Sequence, residues 1–116
     1  MPSDPPRRLE VYAEFRIPLG PRSEAAGLRV RFQHDDVPGI HFTVEPDEEY
    51  RAALLHGIED GMAARFPDFL ASGSIWITEI TAHEVDSSQR AFYRVGRLVV
   101  DQAFSLTQTA QGLTNR

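Results

Sequence analysis

The stretch His83–Phe104, HEVDSSQRAFYRVGRLVVDQAF, decides how the rest of the chain is read. Its first residues, His83, Asp86, Ser87 and Ser88, are the side-chain types of a hydrolytic triad. Sequence neighbours this close do not readily become nucleophile, base and orienter, and the chain has no Gly-x-Ser-x-Gly elbow. A helix start accounts for the same residues. Asp86 or Ser87 can accept from the first free amides, and Gln89 stands three residues after Asp86, near the spacing of a capping box. Beyond it Ala91, Phe92, Val95, Leu98, Val99, Gln102 and Ala103 recur at helical spacing, which predicts a helix from about Ser87 to Phe104.

On that helix Arg90, Arg94 and Arg97 share one face at i, i+4 and i+7. Two readings are open for them. Asp86 and Asp101 each lie four residues from an end of the stripe and can pair it into a solvated face, or the stripe can meet RNA phosphates.

Working outward, SIWITEITA (Ser74–Ala82) reads as a strand and PDFLASG before it as a connector. In EPDEEYRAALLHGIEDGMAARF, Tyr50, Ala53, Leu54, Gly57, Ile58, Gly61 and Met62 form one helical stripe. Asp47 is the expected cap, with Glu48 and Glu49 favourably placed beside the first-turn amides. Glycines at 57 and 61 on a buried stripe imply that this helix comes close to its sheet. Nearer the N-terminus, Leu9, Val11, Ala13, Phe15 and Ile17 alternate with polar neighbours, as do Leu28, Val30 and Phe32, and then Ile40, Phe42 and Val44. The second and third of these runs are expected to be antiparallel, turn-bounded strands. PLGPRSEAAG (Pro18–Gly27) is expected to break the chain between the first two. Residues 1–8 read as a mobile lead-in, 9–104 as one domain and 105–116 as a polar tail. The order βββαβα implies an α+β two-layer sandwich with both helices on one face of the sheet and the other face wet.

Composition narrows the function classes. A chain of 116 residues, 41% hydrophobic, suits one core. The net charge of −5 argues against a surface that binds nucleic acid everywhere, although local basic stripes remain open. With no cysteine, thiolate chemistry and disulfides are excluded. All 12 cations are arginine, read here as codon bias rather than function. No run is long and apolar enough to span a bilayer, and MPSDPPRRLE lacks a signal core, so the expectation is a cytoplasmic protein without a membrane partner. In QHDDVPGIH, His34, Asp35, Asp36 and His41 are possible ligands for a divalent ion, but a turn uses Asp and Gly for its own hydrogen bonds, and no metal or other cofactor is expected. His56, four residues before Asp60, reads as a solvated partner. No phosphate-cradling Gly-x-x-x-x-Gly-Lys motif is present, so GTP binding is not expected.

HEVDSSQRAFYRVGRLVVDQAF resembles the segment of translation elongation factor G in which a tip-loop histidine leads into the second helix of the fourth domain. EPDEEYRAALLHGIEDGM is similar to that domain's first helix, and the resemblance runs from about Tyr12 to Phe104. It implies the fold of the second domain of ribosomal small-subunit protein five, with a left-handed βαβ crossover. It also implies a non-enzymatic unit that meets the ribosome or structured RNA through a tip loop carrying Glu79, Thr81, His83 and Glu84. In the whole factor this domain is shaped like a transfer-RNA anticodon arm and enters the decoding site. The factor's GTPase has no counterpart in these residues, so coupling of hydrolysis to movement is not expected. A glycine-rich first tip loop of the family is replaced by SDPPRRLE, and Ile80 and Ala82 stand where it usually has glycine and an aromatic. These departures motivate an alternative, a protein-interaction module that kept the fold and lost the ribosome.

Overall fold

The computed structural model describes residues 8–19, 22–34, 37–82 and 88–114. In chain order these form strands β1 (Arg8–Leu19), β2 (Arg22–Gln33) and β3 (Gly39–Phe42), helix α1 (Glu48–Arg65), a short 3-10 turn (Phe69–Ala71), strand β4 (Ser74–Ala82) and helix α2 (Gln89–Thr114). The sheet runs β1-β2-β4-β3 across its width. β1 with β2 and β2 with β4 are antiparallel, whereas β3 lies parallel to β4. The fold is therefore α+β with a mixed four-stranded sheet and two helices. No helix among the described residues is long and apolar enough to cross a membrane.

The alternation read from the sequence sets which side of each strand is buried. Val11 and Ala13 of β1, Ala26, Leu28, Val30 and Phe32 of β2, and Ile75 and Ile77 of β4 join Leu54, Ile58, Phe92, Val95 and Val99 of the helices in one core. In β4 the period breaks once, because Arg29 opposes Glu79 while Val30 opposes Ile77. Thr78 is the extra residue of this bulge, and its hydroxyl donates to the Arg29 carbonyl at 3.4 Å. The bulge brings Ile80, out of phase with Ile75 and Ile77, back against the core.

Several expectations change. PLGPRSEAAG is mostly strand: β1 continues to Leu19 and β2 begins at Arg22, so the two form one long hairpin. Ala25 and Ala26 are fully buried, and small side chains let the strand run on where a period-two pattern is faint. β3 is not β2's hairpin partner, since β4 lies between them. The parallel pairing, extended by the Thr43 amide bond to the Ile77 carbonyl at 2.9 Å, requires a crossover, which α1 supplies. Gly39 starts β3 at φ 115°, a backbone region open to glycine. Asp47 occupies the N-cap position of α1, but its side chain makes no capping bond; its carbonyl accepts from the Tyr50 amide at 2.9 Å instead. α2 does not stop near Phe104. It continues to Thr114, with Thr107 buried and its hydroxyl bonded to the Ala103 carbonyl at 2.9 Å. Arg8, expected in the lead-in, already pairs with Gln33.

The glycines of the α1 stripe do mark a close approach, but to α2 rather than to the sheet. A Cβ on Gly57 would collide with the Tyr93 carbonyl oxygen, and one on Gly96 would lie 2.9 Å from the Leu54 carbonyl oxygen. α2 in turn packs over β1 and β2. Ala is the better helix former than Gly by about 1 kcal/mol, whereas forcing atoms into a filled interface costs roughly 1–3 kcal/mol. Gly57→Ala should therefore lower the urea-derived stability, by up to about 2 kcal/mol, where helix propensity alone would raise it by about 1 kcal/mol, and Gly introduced at exposed Ala63 should cost about 1 kcal/mol. A stabilised Gly57→Ala protein would show that the helices are not in backbone contact.

Candidate functional site

β4 ends at Ala82 and α2 begins at Gln89, so the residues matched by the sequence block leave the sheet at one end. His83, Glu84, Asp86 and Ser87 lie outside the described residues. The end they depart from is built as follows. Ala26 pairs with Ala82, the last rung shared by β2 and β4. Beyond it β1 and β2 continue as a two-stranded ribbon through Arg16↔Ala25, Ile17↔Glu24, Pro18↔Ser23 and Leu19↔Arg22. At roughly 3.3 Å per residue these rungs project about 13 Å past the end of β4. A protrusion therefore stands next to the β4–α2 connection. It is the β1–β2 hairpin and not the lead-in, because Arg8 enters the sheet at the opposite end, beside Gln33 and Ser74.

Two residues assigned to the tip loop from sequence lie upstream of it. Glu79 is within β4 and accepts from Arg29 Nε at 3.0 Å, and Thr81 sits in β4 opposite Gly27. The helix cap also differs from the expectation. Ser88 Oγ accepts from the Ala91 amide at 3.0 Å, the bond of an N-cap to its third helical residue, and Gln89 is already the first residue of the helix. The sequence places the cap at Asp86 or Ser87, and the bond observed is made by the next residue, Ser88.

The arginine stripe divides. Arg90 and Arg94 are exposed, and the Arg94 guanidinium lies over the Phe15 ring at 5.7 Å. Arg97 is half-buried and turned toward α1. It bonds to the Tyr93 hydroxyl, and that hydroxyl donates to Asp60 Oδ2 at 2.6 Å. The bond to Tyr93, reinforced by the charges of Asp101 and Asp60, raises the Arg97 pKa against the opposing effect of burial. Its Nε is buried without a hydrogen-bond partner. Asp101, expected to pair along the stripe, accepts instead from Arg65 Nε of α1 at 3.1 Å. Sequence spacing within one helix could not reveal the Tyr93–Asp60 and Arg65–Asp101 bonds, because both cross between helices.

Opposite charge gathers on the α1 side of the same end. A cleft of about 310 Å³ is floored by Val44, Tyr50, Ile80 and Phe92 and rimmed by Glu45, Asp47 and Glu79. Tyr50 stacks on Phe92 with ring centres 4.6 Å apart. Burial, then the charges of Glu49 and Asp47, raise the pKa of its phenol. This end of the molecule thus has a cationic side along α2 and an anionic side at the start of α1.

The histidines are dispersed. His34 meets Phe69 edge-on at 5.2 Å, while His41 stacks on Trp76 at 4.5 Å and donates Nε2–H to the Val37 carbonyl at 2.6 Å. Asp35 and Asp36 lie outside the described residues, and among the described residues no group of three His, Asp or Glu is placed to hold a metal. His56 is exposed on α1.

No protein-family model matches the sequence, and the curated proteins contain no match to it. Among solved structures, the chain is similar to part of ttk003000868 from Thermus thermophilus, with a TM-score of 0.75 and 18% identity. The match covers 89% of this chain and 16% of that one, so this chain spans a small part of the length of the protein it matches. At this identity the likeness is one of fold.

Replacing an N-cap serine costs about 1 kcal/mol. Ser88→Ala should lower stability by that amount in urea unfolding, and Ser88→Asp should retain most of it; equal losses for both would remove Ser88 as the cap.

Proposed function

We propose that this chain is a non-enzymatic unit of the type found as the fourth domain of elongation factor G, and that it docks on the ribosome or on structured RNA through the end that carries His83. The observation that carries the reading is the HEVDSSQRAF block, which in the sequence lies between the end of β4 at Ala82 and the start of α2 at Gln89 and runs on into that helix. Support comes from the element order, from the parallel β3–α1–β4 unit, and from a fold that recurs as a segment of a much longer protein. On this reading the fold is that of the second domain of ribosomal small-subunit protein five, with a left-handed crossover through α1, and the protein works in the cytoplasm without nucleotide or metal of its own.

The geometry refines which cations take part. Arg90 and Arg94 are exposed and can reach phosphates; Arg97 is half-buried and bonds to Tyr93. The β1–β2 hairpin stands where a companion to the His83 loop is needed. The acidic rim of Glu45, Asp47 and Glu79 repels phosphate, so contact is confined to the α2 side. That same acidic rim favours the second reading, a module for a basic protein partner.

Co-sedimentation with ribosomes at low salt separates the two. The full chain should pellet with ribosomes, and His83→Ala and the double reversal Arg90→Glu/Arg94→Glu should each release it severalfold. The reversal should also reduce the log–log salt slope by about one for each phosphate that the variant no longer neutralises. Absence of association at low salt, with a discrete protein recovered instead, would replace the ribosome by the protein partner.

A further inference from the structure

The sheet has two edges, and they are built differently. β3 is 4 residues long. β1 is 12 residues long, pairs with β2 without a register shift, and has β2 as its one strand neighbour among the described residues. Long edges usually carry a bulge, a proline or an inward-pointing charge that prevents further pairing. Between Leu9 and Arg16 β1 has no proline and no bulge, and its inward residues Leu9, Val11, Ala13 and Phe15 are all apolar.

We propose that β1 pairs antiparallel with β1 of a second copy of this chain, about a twofold axis at Ala13, joining the two sheets into one. The charge order of the strand carries this. With the axis at Ala13, Glu10 stands opposite the partner's Arg16 and, by symmetry, Arg16 opposite the partner's Glu10. Tyr12 faces the partner's Glu14. On the helix side Val11 meets the partner's Phe15, next to the cleft of about 370 Å³ that Phe15, Arg94 and Leu98 line along this edge. Glu10 and Arg16 are both about half exposed, with relative side-chain exposures of 50% and 53%, and their ion pairs within the chain, Glu10 with Arg29 at 3.9 Å and Arg16 with Glu14 at 3.4 Å, are surface contacts that pairing across the two strands would exchange.

Neighbouring registers either oppose like charges or, where they oppose unlike ones (Arg8 to the partner's Glu14, Glu14 to the partner's Arg16), pair fewer residues. An axis at Tyr12 sets Glu10 against the partner's Glu14 and Arg8 against the partner's Arg16. An axis at Glu14 sets that carboxylate against itself. Axes at Val11 or Phe15 shorten the ladder, and any axis between residues turns apolar side chains against the wet face. A closed twofold arrangement also uses up the β1 edge of both copies, so pairing through β1 stops at two copies.

The test is the oligomeric state of the full chain by sedimentation velocity across micromolar to millimolar concentration. A reversible dimer is expected. Arg16→Glu alone and Glu10→Arg alone each create two like-charge oppositions and should weaken it about tenfold or more, whereas Glu10→Arg/Arg16→Glu should restore it. Because the chain has no cysteine, register can be read directly. Opposed residues of an antiparallel pair have Cα atoms about 4.5–5.5 Å apart, within disulfide reach. A mixture of Tyr12→Cys and Glu14→Cys proteins should cross-link faster than either alone. A protein that stays monomeric throughout, a dimer indifferent to the charge variants, or cross-linking no faster in the mixture would overturn the proposal.

Discussion

The backbone contact between α1 and α2 is the constraint on which the rest of the molecule depends. Gly57 and Gly96 remove the side chains that would hold the helices apart, and the gap is closed by Tyr93, Leu54 and Ile58 backbone atoms. Two helices locked at this distance act as one layer. Because α2 packs over β1 and β2, the locked pair fixes where the sheet's apolar face must lie. The polar bonds between the helices, Tyr93 to Asp60 and Arg65 to Asp101, are available only because the helices are already this close. Their exposed members make each bond a modest contributor, and packing outweighs them.

That layer determines the character of the site. Drawing Arg97 into the helix contact leaves Arg90 and Arg94 as the outward cations of α2. The start of α1, held beside the end of β4, brings Glu45, Asp47 and Glu79 round a cleft on the other side. A chain of net charge −5 can hold a cationic strip because the fold separates the two signs at one end of the sheet. The β1–β2 hairpin contributes there by length alone, running past the last β2–β4 rung.

The wet face of the sheet is likewise held by many small interactions. Arg29 sits between the Tyr12 ring at 5.0 Å, Glu79 at 3.0 Å and Glu10 at 3.9 Å, and Trp76 is flanked by His41. Trp76 Nε1–H donates to Ser74 Oγ at 3.1 Å, and that buried hydroxyl donates to the Gln33 carbonyl, whereas Nε of Arg31, opposite Trp76, is buried without a partner.

What could be read from the sequence was what local periodicity encodes. The bounds of β4, the stripe of α1 from Leu54 to Met62 and the inward residues of β1 and β2 all follow from spacing, since burial of one face imposes a period of 3.6 or 2. The helix start after HEVDSS was legible for the same reason, though Ser88, which bonds to the Ala91 amide, was not among the caps expected. Tertiary structure alone decided the rest. Parallel pairing of β3 with β4 joins residues more than thirty positions apart, and no local pattern distinguishes it from a hairpin with β2. The glycines announced a close approach without naming α2 as its object. Whether Asp101 pairs along its own helix or with Arg65 depends on where a second helix lies. Pairings between distant segments are set by which apolar faces can be buried together, and that is a property of the assembled chain rather than of any stretch of it.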